Sequence, residues 1–271
     1  MSRPMKLAQR TALITGAASG IGRAIALSLA RRGCHLALAD IDAAGLAQTA
    51  TLAAPHGVQV TCHHLDVADA AAVAALPAAV QADHAGVDLL VNNAGVALNG
   101  TFAQFSDEEF EWLFAINFHG VVRMTRAFLP LLQASDDARL VNLSSVFGLV
   151  APPGQSAYAA SKFAVRGFSE ALRHELQGST VGVTVVHPGG VATAIAAKAR
   201  TAARLDPAEA ARQIEEFQKL LKLPPEVAGE TIVKGMEQRQ ARVLVGSDAK
   251  LIALIVRLAP VGYWRLLERL L

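Results

Sequence analysis

The sequence predicts an α/β protein: one domain, residues 1–271, on a doubly wound parallel sheet of about seven strands with helices on both faces. Three observations predict it. From Thr11 to about Val186, short apolar runs alternate with longer helical windows, the rhythm of βαβ units. Two of the runs, Leu89-Leu90-Val91 and Val183 to Val186, are apolar without alternation, as strands covered on both faces are; the second tolerates one Thr. With 52% hydrophobic and 18% charged residues, a chain of 271 residues can bury a large core.

Six strands follow in order: Thr11 to Thr15, His35 to Asp40, Gln59 to Asp66, Leu89 to Asn92, Arg139 to Ser144 and Val181 to His187. A seventh is Arg242 to Val245. Helical windows between them include Gly22 to Arg32, the alanine-rich Ala68 to Ala85, Asp107 to Leu132 and Ala159 to Leu176. Residues 193–223 break the rhythm, being charged, alanine-rich and free of strand signals, and are expected to form a mobile pair of helices ended by Pro224-Pro225. Residues 247–271 form an apolar C-terminal extension. Its run from Leu251 to Leu271 is broken by Arg257, Pro260, Arg265, Glu268 and Arg269, which argues against a membrane-spanning helix.

Composition excludes several classes. A net charge of +2, spread along the chain, lacks the basic tract of a nucleic-acid binder. Cys34 and Cys62 form no metal or disulfide pattern and read as small hydrophobes in a reducing compartment. Met1 to Arg10 is cationic, but no apolar secretory core follows, so a cytoplasmic location is expected. His63 and His64, adjacent on a strand, face opposite ways, so no metal site is expected. Trp112 and Phe114 are expected in the core or a subunit contact, and His174 and Glu175 on a solvated face.

The first strand runs into Thr15-Gly16-Ala17-Ala18-Ser19-Gly20-Ile21-Gly22, which opens a helix. Glycines let the backbone approach a pyrophosphate, and a helix N-terminus offers unpaired N–H groups, so Gly16, Ser19, Gly20, Ile21 and Gly22 are candidate dinucleotide contacts. Asp40 ends the second strand, where a carboxylate accepts hydrogen bonds from a ribose and repels a 2′-phosphate; this favours NAD over NADP. Arg23 is the one nearby cation.

Tyr158 and Lys162 stand four residues apart on a helix and share a face. An ammonium near a phenol favours the phenolate and lowers its pKa towards the working range of a base. Ser144 and Ser145 end the fifth strand, at the sheet edge where α/β proteins bind ligands, and Ser144 is expected to point away from Ser145. His187 is expected to satisfy a backbone group.

With these elements the chain resembles the short-chain dehydrogenases/reductases, Rossmann-type oxidoreductases. The matching stretches are Thr15 to Gly22, Asp66, Asn92-Asn93-Ala94-Gly95, Asn117, Ser145, Tyr158, Lys162 and Pro188-Gly189-Gly190-Val191-Ala192-Thr193. The resemblance implies that Tyr158 is the general acid/base and that Ser145 bonds the substrate oxygen. Lys162 would hold the nicotinamide ribose and lower the Tyr158 pKa, and Asn117 would position a relay water. Asp66 and Val67 would meet the adenine, Asn93 and Gly95 would line the adenosine side, and Pro188, Gly189, Val191 and Thr193 would contact the nicotinamide.

By the same analogy the substrate pocket comprises Leu98, Ser145 to Gln155, Gly189-Gly190 and Ala194 to Leu223, with Phe147 and Gly190 beside Ser145 and Tyr158. Phe147, Leu149, Val150, Pro152, Pro153 and Ile195 make it apolar, which points to a hydrophobic secondary alcohol or ketone. A homodimer or homotetramer is implied. The apolar tail has three open uses: covering the entrance, extending a subunit interface, or lying on a membrane surface. Two rival functions stay open, an NADP-dependent reductase of 3-oxoacyl groups on acyl carrier protein or coenzyme A, and an NAD-sensing protein without turnover.

Overall fold

The computed structural model describes residues 3–268. Its first half runs β1 (Thr11–Thr15), α1 (Gly20–Ala30), β2 (His35–Asp40), α2 (Ala43–Ala53), β3 (Val60–His64), α3 (Ala70–Asp83), β4 (Leu89–Asn92), β5 (Leu98–Asn99), α4 (Asp107–Phe114) and α5 (Gly120–Ala134). The second half runs β6 (Ala138–Leu143), α6 (Ser156–Glu175), β7 (Val181–Pro188), β8 (Arg200–Thr201), α7 (Pro207–Leu220), α8 (Pro225–Glu237), β9 (Arg242–Val245), α9 (Ser247–Leu258) and α10 (Tyr263–Leu267). The main sheet has seven parallel strands, as the sequence predicts, and their order is β3-β2-β1-β4-β6-β7-β9. The chain winds outward from β1 to β3, then crosses back to β4. The switch point therefore lies between β1 and β4, and a ligand crevice opens at their carboxyl ends.

Side chains alternate across the sheet with the period of a strand. Ile14, Leu36, Leu38, Leu89 and Val91 face α1 and α8, where they meet Ile25, Leu29, Ile232 and Met236. Leu13, Ala37 and Leu90 face the other way, onto Val80 of α3, Phe128 of α5 and Leu172 of α6. The α1–α8 crossing is close: a Cβ on Gly229 would lie 2.6 Å from the Ala24 carbonyl carbon. Arg32 clamps its far end, donating to Glu230 at 2.7 Å and to Glu237 at 3.0 Å. Cys34 is buried, its thiol against the Arg10 carbonyl, whereas Cys62 is exposed on the edge strand β3.

Four expectations need correction. The window Asp107 to Leu132 is not one helix, because a π turn at Ala115–His119 separates α4 from α5. Residues 193–223 hold one α-helix, α7, rather than a pair, preceded by β8, which pairs with β5 in a second, two-stranded sheet. A third apolar cluster, Leu98, Phe105, Leu113, Ala202 and Leu205, holds that sheet in place. Helix α1 starts at Gly20 rather than Gly22, and β3 stops at His64, short of Asp66. The C-terminal extension is two short helices as far as the description reaches; Arg269 to Leu271 lie outside the described residues. No helix among the described residues is long and apolar enough to cross a membrane.

Candidate active site

The turn between β1 and α1 has left-handed backbone at Gly16 (φ 66°) and Gly20 (φ 54°), conformations that favour glycine. A Cβ on Gly16 would also lie 2.6 Å from Asn93 Nδ2. That amide is used: it donates to the carbonyls of Thr15 at 2.9 Å and Gly16 at 3.0 Å. Thr15 Oγ1 in turn accepts from the N–H groups of Asn93 and Ala94, each at 3.0 Å. The loop after β4 is thus stitched to the turn after β1 across the switch point. Ser19 caps no N–H with its side chain and the first turn of α1 has no acidic residue, so its positive end is left for an anion. Ile21 packs into the core under the turn.

Asp40 folds back on this turn, accepting from Ala18 N through Oδ2 and from Asp42 N through Oδ1, each at 3.0 Å. Arg23, the one candidate partner for a 2′-phosphate, is committed elsewhere. Its guanidinium donates to Thr49 Oγ1 at 2.9 Å and to the carbonyls of Ala18 and Gly45. Asp66 is exposed just beyond β3, and Val67 is buried against Gly120 at the start of α5. On the opposite wall, Thr193 brings its methyl over Gly20. Ser19, Gly20, Ala192, Thr193, Ala194, Gln218 and Leu221 line a cleft of about 390 Å³ there. This donor set suits a dinucleotide pyrophosphate.

The catalytic candidates converge at the carboxyl edge of β4 and β6. Helix α6 carries Tyr158 and Lys162, and Lys162 Nζ donates to the Leu143 carbonyl at 3.1 Å, 5.6 Å from the centre of the Tyr158 ring. The extra residue of the π turn aims Asn117 inward. Its Oδ1 accepts from Val96 N at 2.8 Å and its Nδ2 donates to the Val96 carbonyl at 3.0 Å and to Ser161 Oγ at 3.3 Å. Gly95 leaves the room for this: a Cβ there would stand 3.2 Å from Asn117 Oδ1 and 3.4 Å from Lys162 Nζ. Gly95 therefore lies against the catalytic candidates.

Ser145 and Ser144 diverge. Ser145 faces the Tyr158 phenol and accepts from Phe147 N at 3.1 Å, while Ser144 Oγ donates to the Lys162 carbonyl at 2.8 Å. His187, fully buried, donates through Nδ1 to the Ser145 carbonyl at 2.9 Å. Burial lowers its pKa to about 4, so it stays neutral at pH 7.

The electrostatics correct one expectation. Burial pushes the Tyr158 phenol up to about 12, opposed by the Ser145 hydrogen bond, and pulls the Lys162 ammonium down to about 8. In the chain by itself, loss of water outweighs the contribution of Ser145 at the phenol. Both groups are held in their uncharged direction.

On the substrate side, Phe147 meets Tyr158 edge-on with ring centres 6.1 Å apart. Phe217 of α7, within the expected pocket segment Ala194 to Leu223, lies 6.2 Å from Phe147 on a tilted plane. Leu98, Leu149 and Val150 are buried, Pro152 and Ile195 are half-buried, and Pro153 is exposed. Gly190 is wedged against the Leu220 carbonyl at the end of α7. Its N–H donates to Asp248 Oδ2 at 2.7 Å, a residue the sequence reading missed. Among the described residues no group of three His, Cys, Asp or Glu could hold a metal ion.

The family model described as short chain dehydrogenase matches residues 10–204. The chain belongs to that family. It is 48% identical over 260 residues to the Mycobacterium tuberculosis protein named "Putative oxidoreductase SadH", covering 95% of this short-chain dehydrogenase and 93% of the relative. "Oxidoreductase UcpA" of Escherichia coli is 41% identical over 192 residues, covering 70% and 73%. A short-chain dehydrogenase/reductase from Burkholderia phymatum, solved in complex with NAD, superposes with a TM-score of 0.86 at 31% identity, covering 93% of this chain and 94% of its own. One from Streptomyces avermitilis superposes with a TM-score of 0.80 at 29% identity. Membership places the protein among the oxidoreductases of that family, and the match ends before α7, β9 and the C-terminal helices.

Proposed function

We propose that this short-chain dehydrogenase interconverts a hydrophobic secondary alcohol and its ketone with NAD. The observation that carries the reading is the convergence of Ser145, Tyr158, Lys162 and Asn117 beside the phosphate turn. In oxidation, Ser145 Oγ bonds the substrate oxygen and Tyr158 Oη takes its hydroxyl proton, while Lys162 and Asn117 pass the proton towards solvent. Bound NAD supplies the acceptor for the hydride that leaves the same carbon. NAD is favoured over NADP because Asp40 stands at the end of β2 and Arg23 is already engaged, and the Burkholderia phymatum neighbour was solved with NAD.

Phe147 and Phe217 beside Tyr158 favour a hydrophobic substrate over one anchored by a carboxylate or phosphate. The two free thiols suit work in the cytoplasm. A homodimer or homotetramer through α5 and α6 is the proposed assembly. The test is reduced-nicotinamide absorbance with NAD and separately NADP over a panel of secondary alcohols, with Tyr158→Phe as control. Turnover that prefers NAD and disappears in the variant is expected. Cofactor binding with no turnover across aryl, aliphatic and polycyclic alcohols would overturn the reading in favour of a sensor.

A further inference from the structure

We propose that the C-terminal segment is a brace holding both walls of the active site, with Asp248 and Tyr263 as its positioning residues. The inference rests on the oxidoreductase reading and extends it to a part of the chain beyond the matched residues 10–204. Its first anchor is Asp248, in the first turn of α9, whose carboxylate accepts from Gly190 N at 2.7 Å. That carboxylate fills the space a Cβ would need on Gly189 and on Gly246. The Gly190 carbonyl is held from the other side by Lys222 N and Leu223 N, both at 2.9 Å. Gly190, just past the end of β7, is therefore gripped at its N–H by the C-terminal segment and at its C=O by the linker after α7. An N–H held by a carboxylate is a charge-assisted contact, stronger and more directional than one between neutral groups.

The second anchor is Tyr263, whose hydroxyl accepts from Ala151 N at 3.2 Å. Ala151 lies three residues past the 3-10 turn Val146–Gly148, which carries Phe147. Helix α9 packs directly on that turn. One segment thus reaches the Pro188–Gly190 wall through Asp248 and the Ser145–Ala151 wall through Tyr263, and Tyr158 works between them. With both anchors in place the two walls keep a fixed separation.

The test compares Asp248→Ala, Asp248→Asn and Tyr263→Phe with the wild type, by calorimetric NAD affinity, kcat and KM separately, and urea unfolding. Asp248→Ala is expected to weaken NAD binding and to lower kcat/KM by about tenfold, the scale of one lost hydrogen bond to a charged group. Asp248→Asn keeps an acceptor oxygen for Gly190 N and is expected to recover most of both. Tyr263→Phe is expected to raise the substrate KM about threefold with NAD affinity unchanged, because a hydrogen bond between neutral groups contributes less. Wild-type NAD affinity and kcat/KM in Asp248→Ala would overturn the brace, as would Asp248→Asn failing as badly as Asp248→Ala. A wild type that binds NAD but turns over nothing defeats the functional reading alone, since the NAD affinities of the variants still test the brace.

Discussion

Tyr158 and Lys162 are each pushed towards neutrality by burial, so the proton equilibrium of the pair sets the pH response. Alcohol oxidation needs the phenolate; its rate is expected to rise with pH above neutrality, while ketone reduction falls. Lys162→Met removes the ammonium and is expected to shift the rise to higher pH and to cost 10²-fold or so in kcat, read from pH–rate profiles of both proteins. His187 gives a second pH signature. It titrates at about 4 in the fold against 6.5 when free, because burial disfavours the imidazolium. The native state therefore binds fewer protons than the unfolded chain between those values. The stabilisation is whole above pH 6.5 and is lost as pH falls towards 4, on the order of 3 kcal/mol, with His63 and His84 shifted in the same direction. Urea midpoints at pH 7 and pH 4.5 should show the loss, and His187→Asn should flatten it. At this scale the sequence showed Ser145, Tyr158 and Lys162 through type and spacing, but Asp248 is an ordinary acidic residue at a helix start until the fold sets it under Gly190.

Helix α1 does two jobs: its N-terminus carries the phosphate turn and its side packs on α8 with almost no clearance at Gly229. Gly229→Ala forces a methyl against the Ala24 backbone, so about 1–3 kcal/mol of destabilisation is expected by urea unfolding, together with weaker NAD binding by calorimetry. Strands β1, β2, β4 and β9 have the ends predicted from sequence, because buried runs between turn residues are bounded sharply. The π turn was not legible, since the apolar pattern runs through it unbroken and the extra residue shows only in the hydrogen bonds. Strands β5 and β8 are two residues each and pair across about a hundred positions, beyond the reach of any local pattern. Helix α7 was legible as helical composition, but in place of its partner in the expected pair stand a turn over 194–198 and the two-residue strand β8.

The whole molecule was the easiest scale to read, because the alternation of strands and helices is repeated enough times to fix a doubly wound sheet. Its surface was the hardest. Phe163, on α6, is 39% exposed and belongs to the proposed subunit contact. Sedimentation equilibrium is expected to show a dimer or tetramer, and Phe163→Glu to release monomers; a wild-type monomer would remove the assembly from the proposal. Leu254, Leu258 and Val261 of the tail are also exposed, and binding to anionic liposomes would add a membrane surface to its role in the brace.

The two cysteines turn this molecule into its own reporter. Cys62 lies open on the outermost strand, whereas Cys34 is sealed between α1 and β2 with its thiol pKa driven far up by burial. A maleimide should therefore label the native protein once, and a second label should appear only when the α1–β2 unit opens. Because that unit presents the phosphate turn, saturating NAD should slow the second labelling and leave the first untouched. The ratio of the two rates then measures, with no substrate in hand, how firmly the cofactor locks the part of the fold that binds it.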